Sequence, residues 1–68
     1  MVVTAVLTPS PAGGYTAYNP ETGTVSEGET LESAVANLRE AVVLFLEEFP
    51  LPATGTAIVT TFSIPEHA

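Results

Sequence analysis

Residues 30–50, TLESAVANLREAVVLFLEEFP, decide how this chain folds. Leu31, Val35, Leu38, Val42, Phe45, Leu46 and Phe49 recur at three- and four-residue spacings, and that period draws one apolar stripe along an α-helix. Thr30 is a good N-cap, and Glu32 falls in the first turn, where the helix dipole favours negative charge. Pro50 ends the helix near Glu48, and Pro52 blocks a restart. Glu32, Asn37, Arg39, Glu40, Glu47 and Glu48 lie away from the stripe. So do Val43 and Leu44, which 100° per residue places among the glutamates. Two apolar residues rimmed by charge match the layout of a contact surface. Glu40, Val43, Leu44, Glu47 and Glu48 are therefore the candidate partner or oligomer interface. The ordinary alternative is that single exposed apolar side chains need no explanation.

The sequence on either side of this helix reads as strands. Met1–Leu7 (MVVTAVL) is rich in β-branched residues, with Val3, Ala5 and Leu7 on one face. Thr8–Gly14 breaks it with two prolines and a Gly-Gly pair. Tyr15–Tyr18 is a short second strand, with Tyr15 and Ala17 opposite Thr16 and Tyr18. Asn19–Gly23 (NPETG) is a turn, and Thr24–Ser26 a short third strand. After the helix, Thr56–Ile64 (TAIVTTFSI) alternates Ile58, Thr60, Phe62 and Ile64 against Ala57, Val59 and Thr61, and is expected to be a fourth strand. The expected order is βββαβ. That is an α+β, two-layer domain over residues 1–68, with an antiparallel sheet and one helix on one face. Its other sheet face has no helix to cover it.

Charge and length narrow the functions available. The chain has 68 residues, no cysteine and a net charge of −7; all eight acids are glutamates, and Arg39 is the only Lys or Arg. Neutralising phosphates takes several cations, so direct nucleic-acid binding is excluded, and anionic membranes are disfavoured. A basic protein partner is compatible with this charge, as is the simpler role of keeping a small domain in solution. A core this small leaves much of its surface wet, which points to a homo-oligomer or to docking on a partner. The longest apolar run, Ala41–Leu46, is too short to span a bilayer, and the N-terminus lacks the basic region of a secretory signal. A cytoplasmic location is the expectation.

The residues for catalysis are missing. His67, the single histidine, sits next to the C-terminal residue and has no neighbour to orient it. The strand interiors carry no carboxylates, and Glu27 and Glu29 precede the helix on a loop. With no lysine and no phosphate-loop spacing, the glycines do not form a nucleotide cradle. No catalytic, cofactor or metal residues are assigned, and the chain is expected not to be an enzyme. A small metal-dependent hydrolase using Glu27 or Glu29 is the minor alternative.

The run YTAYNPETGTVSEGETLESAVANLREAVVLFLEE, residues 15–48, resembles the HicB-like antitoxins. Gly14-Tyr15, Pro20, Gly23, Gly28-Glu29-Thr30, Ala34-Val35 and Asn37 follow that family's order. Two positions depart from it: Thr24 stands where a Cys is common, and Ser33 stands where a Glu would close a capping box on Thr30. Longer members add a DNA-binding segment with no counterpart in these 68 residues. The resemblance implies a partial ferredoxin-like or degenerate RNase H-like fold. It also implies a small basic partner of the HicA type, a ribonuclease toxin whose active site the antitoxin covers. The alternative within the same resemblance is an orphan oligomeric domain, dimer or tetramer, with a structural or regulatory role.

Overall fold

A computed structural model describes residues 1–51 and 55–66. Three strands, β1 (Val6–Pro9), β2 (Tyr15–Asn19) and β3 (Thr24–Gly28), are followed by helix α1 (Leu31–Glu48). Each strand pairs antiparallel with its neighbour, in the order β1-β2-β3. The fold is α+β, with the helix laid across one face of the sheet.

Local chemistry accounts for both turns. Between β1 and β2 the Ser10 amide donates to the Gly14 carbonyl at 2.9 Å, and the chain reverses through Gly13 and Gly14. Gly14 has φ +76°, and a Cβ there would press on the Gly28 carbonyl of β3, so no other residue suits the position. Between β2 and β3 the Gly23 amide donates to the Asn19 carbonyl at 2.8 Å. The alternation expected for β2 is observed. Ala17 and Asn19 are buried under the helix and Tyr15 packs against the core, while Tyr18 is exposed on the other face.

The helix begins and ends where its caps require. Thr30 Oγ1 accepts from the Ser33 amide, and Ser33 Oγ accepts from the Thr30 amide, both at 3.0 Å. Ser33 thus closes the capping box that a Glu was expected to be needed for. At the far end the Phe49 amide reaches the Phe45 carbonyl at 2.8 Å, just before Pro50. Pro52 lies outside the described residues.

The buried line of the helix is narrower than its sequence stripe and rotated from it. Ala34, Leu38 and Val42, spaced four apart, are buried, whereas Leu31, Val35 and Phe49 are exposed. Gly28 is the cause. A Cβ on it would collide with the Ala34 amide nitrogen and Ser33 Oγ, so glycine lets the helix start flush against β3 at its smallest residue. Ala17, Ala34, Leu38 and Val42 form the core, with Val3, Leu7, Tyr15 and Leu46 packed around it.

Two strand expectations need correction. The first strand is Val6–Pro9, not Met1–Leu7. β2 ends at Asn19, opposite Thr24 of β3, and the side chains of the following turn take over the backbone groups of Thr4. The fourth strand is not formed: residues 55–66 carry no ladder, and Ile58, Phe62 and Ile64 are 94, 82 and 71% exposed. Alternation licenses a strand only when a partner edge is in register, and among the described residues no strand pairs with that segment. The described architecture is βββα.

Candidate functional site

Helix α1 lies over β3 and β2 more than over β1, so its outer flank is free. Glu40, Val43, Leu44, Glu47 and Glu48 are all exposed there, with Val43 at 52% and Leu44 at 65%. The structure brings these five together through helical spacing alone. Glu40 is three and four residues before Val43 and Leu44, and Glu47 and Glu48 are three and four after Leu44. Glu32, Val35, Arg39 and Glu40 border the same shallow surface with Val43 and Leu44. The surface is an apolar pair inside an acidic rim, with Arg39 beside it.

Glu47 and Glu48 occupy the last turn, which contains no basic residue. The carbonyl end of a helix carries partial negative charge, so two carboxylates there are locally unfavourable. A second open surface lies on the sheet, where Val6, Tyr18 and Val25 stand side by side across the three strands in register. Tyr18 and Val25 are exposed.

The strongest electrostatic feature was not anticipated from the sequence. Asn19 is fully buried and all of its side-chain capacity is used. Its Nδ2 donates to the Thr4 carbonyl at 2.7 Å and to Glu21 Oε1 at 2.9 Å. Its Oδ1 accepts from the Thr22 amide at 2.9 Å and from the Thr22 hydroxyl. Glu21 in turn accepts the Thr4 amide at 2.7 Å, the Thr4 hydroxyl at 2.8 Å and the Ala57 amide at 2.8 Å. The Thr4 hydroxyl also lies 3.4 Å from the Ala57 carbonyl. Its one proton serves the nearer, charged carboxylate. Donated N–H groups, first from Thr4 and then from Ala57, hold the Glu21 carboxyl at about 2, below its ordinary 4.5.

The NPETG turn announces that Asn19 will cap Thr22, since asparagine commonly bonds the backbone just after it. Nothing in the turn announces Thr4 or Ala57, which are 17 and 36 positions from Glu21. This cluster is a clasp: its donors hold the carboxylate in its charged form.

Among the described residues, no three His, Cys, Asp or Glu side chains gather as a metal site would require. Glu27 does not lie on the expected loop: β3 runs on past Ser26, and Glu27 pairs with Thr16 within it. Glu27 and Glu29 are exposed beside Gly28, and the Glu27 carbonyl accepts from Asn37 Nδ2 at 2.8 Å. His67 lies outside the described residues. No described helix is long and apolar enough to cross a membrane. Comparison with protein-family models, with curated proteins and with solved structures finds no match to this chain.

Proposed function

We propose that this chain acts by binding rather than by catalysis, as an antitoxin-like module whose acidic helix face receives a basic protein. One observation carries the reading: Val43 and Leu44 are exposed at the centre of Glu40, Glu47 and Glu48, two of which occupy a helix end that disfavours them. Residues placed against local preference mark functional surfaces more often than stabilising ones. Like-signed carboxylates around an apolar centre would steer a cationic partner, and the centre would be desolvated on contact.

The specific form of the proposal rests on the sequence resemblance. The module would have a HicB-like, partial ferredoxin-like or degenerate RNase H-like fold. In the cytoplasm it would neutralise a small basic ribonuclease of the HicA type by covering its active site. The βββα order is compatible with that reading. Co-expression with such a toxin tests it: growth should be rescued by the native chain and lost with Leu44→Glu or with Glu47→Lys/Glu48→Lys. Absence of rescue, with no complex on co-purification, would remove the antitoxin reading. A second reading, a self-associating domain without a toxin partner, is favoured by the exposed segment after residue 55.

A further inference from the structure

The chain has more surface than its mass requires. Its accessible area is 5429 Å², against about 4000 Å² for a compact protein of its size. Its radius of gyration is 14.1 Å, against about 11 Å for a compact chain of this length. Residues 55–66, every one of which is exposed, contribute to that excess. That arm is anchored only at its root. The Thr56 hydroxyl donates to the Val2 carbonyl at 3.1 Å, and the Ala57 amide donates to Glu21. Beyond Ala57 the arm makes no hydrogen bond to the body among those described, and it carries no charge before Glu66.

The body has a matching vacancy. The helix leans toward β3, so a groove of about 580 Å³ opens between the Met1–Ala5 segment and the Val35, Leu38, Val42 and Leu46 side of α1. Arg39, the chain's only Lys or Arg, is the one charged side chain lining it. On a molecule of net charge −7 a second copy meets less repulsion here than on the glutamate-rimmed flank of the helix. The segment walling the groove leads into β1, whose outer edge pairs with no strand among the described residues, and open edges accept added strands.

We propose that two copies exchange arms, each seating Ile58, Phe62 and Ile64 of Thr56–Ile64 in the other's groove, alongside the open edge of β1. The alternation that pairs with nothing inside one chain then has its partner, and the root contacts at Val2 and Glu21 are kept. The surplus of about 1400 Å² per chain over a compact fold is of the order that a stable interface buries. Reciprocal exchange of one segment closes a two-fold dimer. This inference does not rest on the antitoxin reading: the groove shares Val35, Arg39 and Val43 with the outer flank of the helix, but Leu44 and the glutamates around it do not line the groove.

Sedimentation of the full chain, combined with cross-linking, tests the exchange. The native chain should sediment at about twice its monomer mass. Ile58→Asp and Phe62→Asp, at positions exposed in the single chain, should give the monomer mass with unchanged helical circular dichroism. A photo-crosslinker on Phe62→Cys, in a co-refolded mixture of ¹⁴N and ¹⁵N chains, should join the arm of one isotope to residues 1–5 or 35–46 of the other. A monomer at all concentrations, a dimer that survives both substitutions, or cross-links confined to one chain would each overturn it. A failed toxin rescue with an intact arm-exchanged dimer would overturn the function alone.

Discussion

The carboxylate of Glu21 accepts the amide of Ala57 at 2.8 Å, while its other oxygen accepts the amide of Thr4 at 2.7 Å. One turn side chain thereby fastens the N-terminal segment and the root of the C-terminal arm to the end of β2. The pH response follows from the sign of its shift. The folded carboxyl titrates at about 2, below 4.5, so the unfolded chain takes up the proton first as pH falls. The contribution of Glu21 is complete above about pH 4.5, where the unfolded carboxyl is ionised, and is lost as pH falls through about 2. Glu21→Gln should lower stability at neutral pH and flatten its pH dependence between those values. Urea titrations from pH 2 to 7 check this, and faster hydrogen exchange at Ala57 would locate the loss.

Asn19 should tolerate no apolar replacement. Asn19→Ala leaves the half-buried Thr4 carbonyl and Thr22 amide without this partner, at a cost of about 1–3 kcal/mol. Asn19→Asp should cost more, because it sets a second carboxylate against Glu21. Chemical denaturation of the two variants measures both.

Leu38 and Leu44 should part company, although both are helical leucines. Leu38 is buried against Ala17, Ala34 and Val42, and Leu38→Ala should cost about 2–5 kcal/mol. Leu44→Ala should change stability by less than about 0.5 kcal/mol while weakening capture of a basic partner. Equal effects on stability would place Leu44 in the core and remove it from the proposed interface.

Glu48→Lys should stabilise the isolated protein by about 0.3–1 kcal/mol, since it turns an unfavourable charge at the helix C-terminus into a favourable one. The same change should weaken binding to a basic protein. Thermal melts and titration calorimetry read the two effects separately. A variant that gained stability and kept its binding would show that Glu48 plays no part in recognition.

Gly28→Ala should push the helix away from β3. The added methyl meets the backbone of Ala34 rather than a side chain able to move, and overpacking of this kind costs about 1–3 kcal/mol. Loss of the tertiary signal around Tyr15 before loss of helix content would show that the packing, not the helix, had failed.

The sequence by itself determined the helix from Thr30 to Glu48, the two glycine-rich turns, the facing of Tyr15 and Ala17, and the grouping of Glu40, Val43, Leu44, Glu47 and Glu48. These are local properties: a cap, a period of 3.6, a turn residue and a few positions along one helix are written in neighbouring residues. Tertiary structure decided which part of the apolar stripe is buried, because the close approach at Gly28 selects Ala34, Leu38 and Val42 over Leu31 and Val35. It decided that the first strand starts at Val6, because Asn19 and Glu21 claim the backbone of Thr4 from across the fold. It also decided the state of Thr56–Ile64, where the sequence pattern is that of a strand. Side-chain alternation states which residues will share a face. A ladder further needs an edge within reach, and in this chain the arm is turned away from its own sheet just after Ala57.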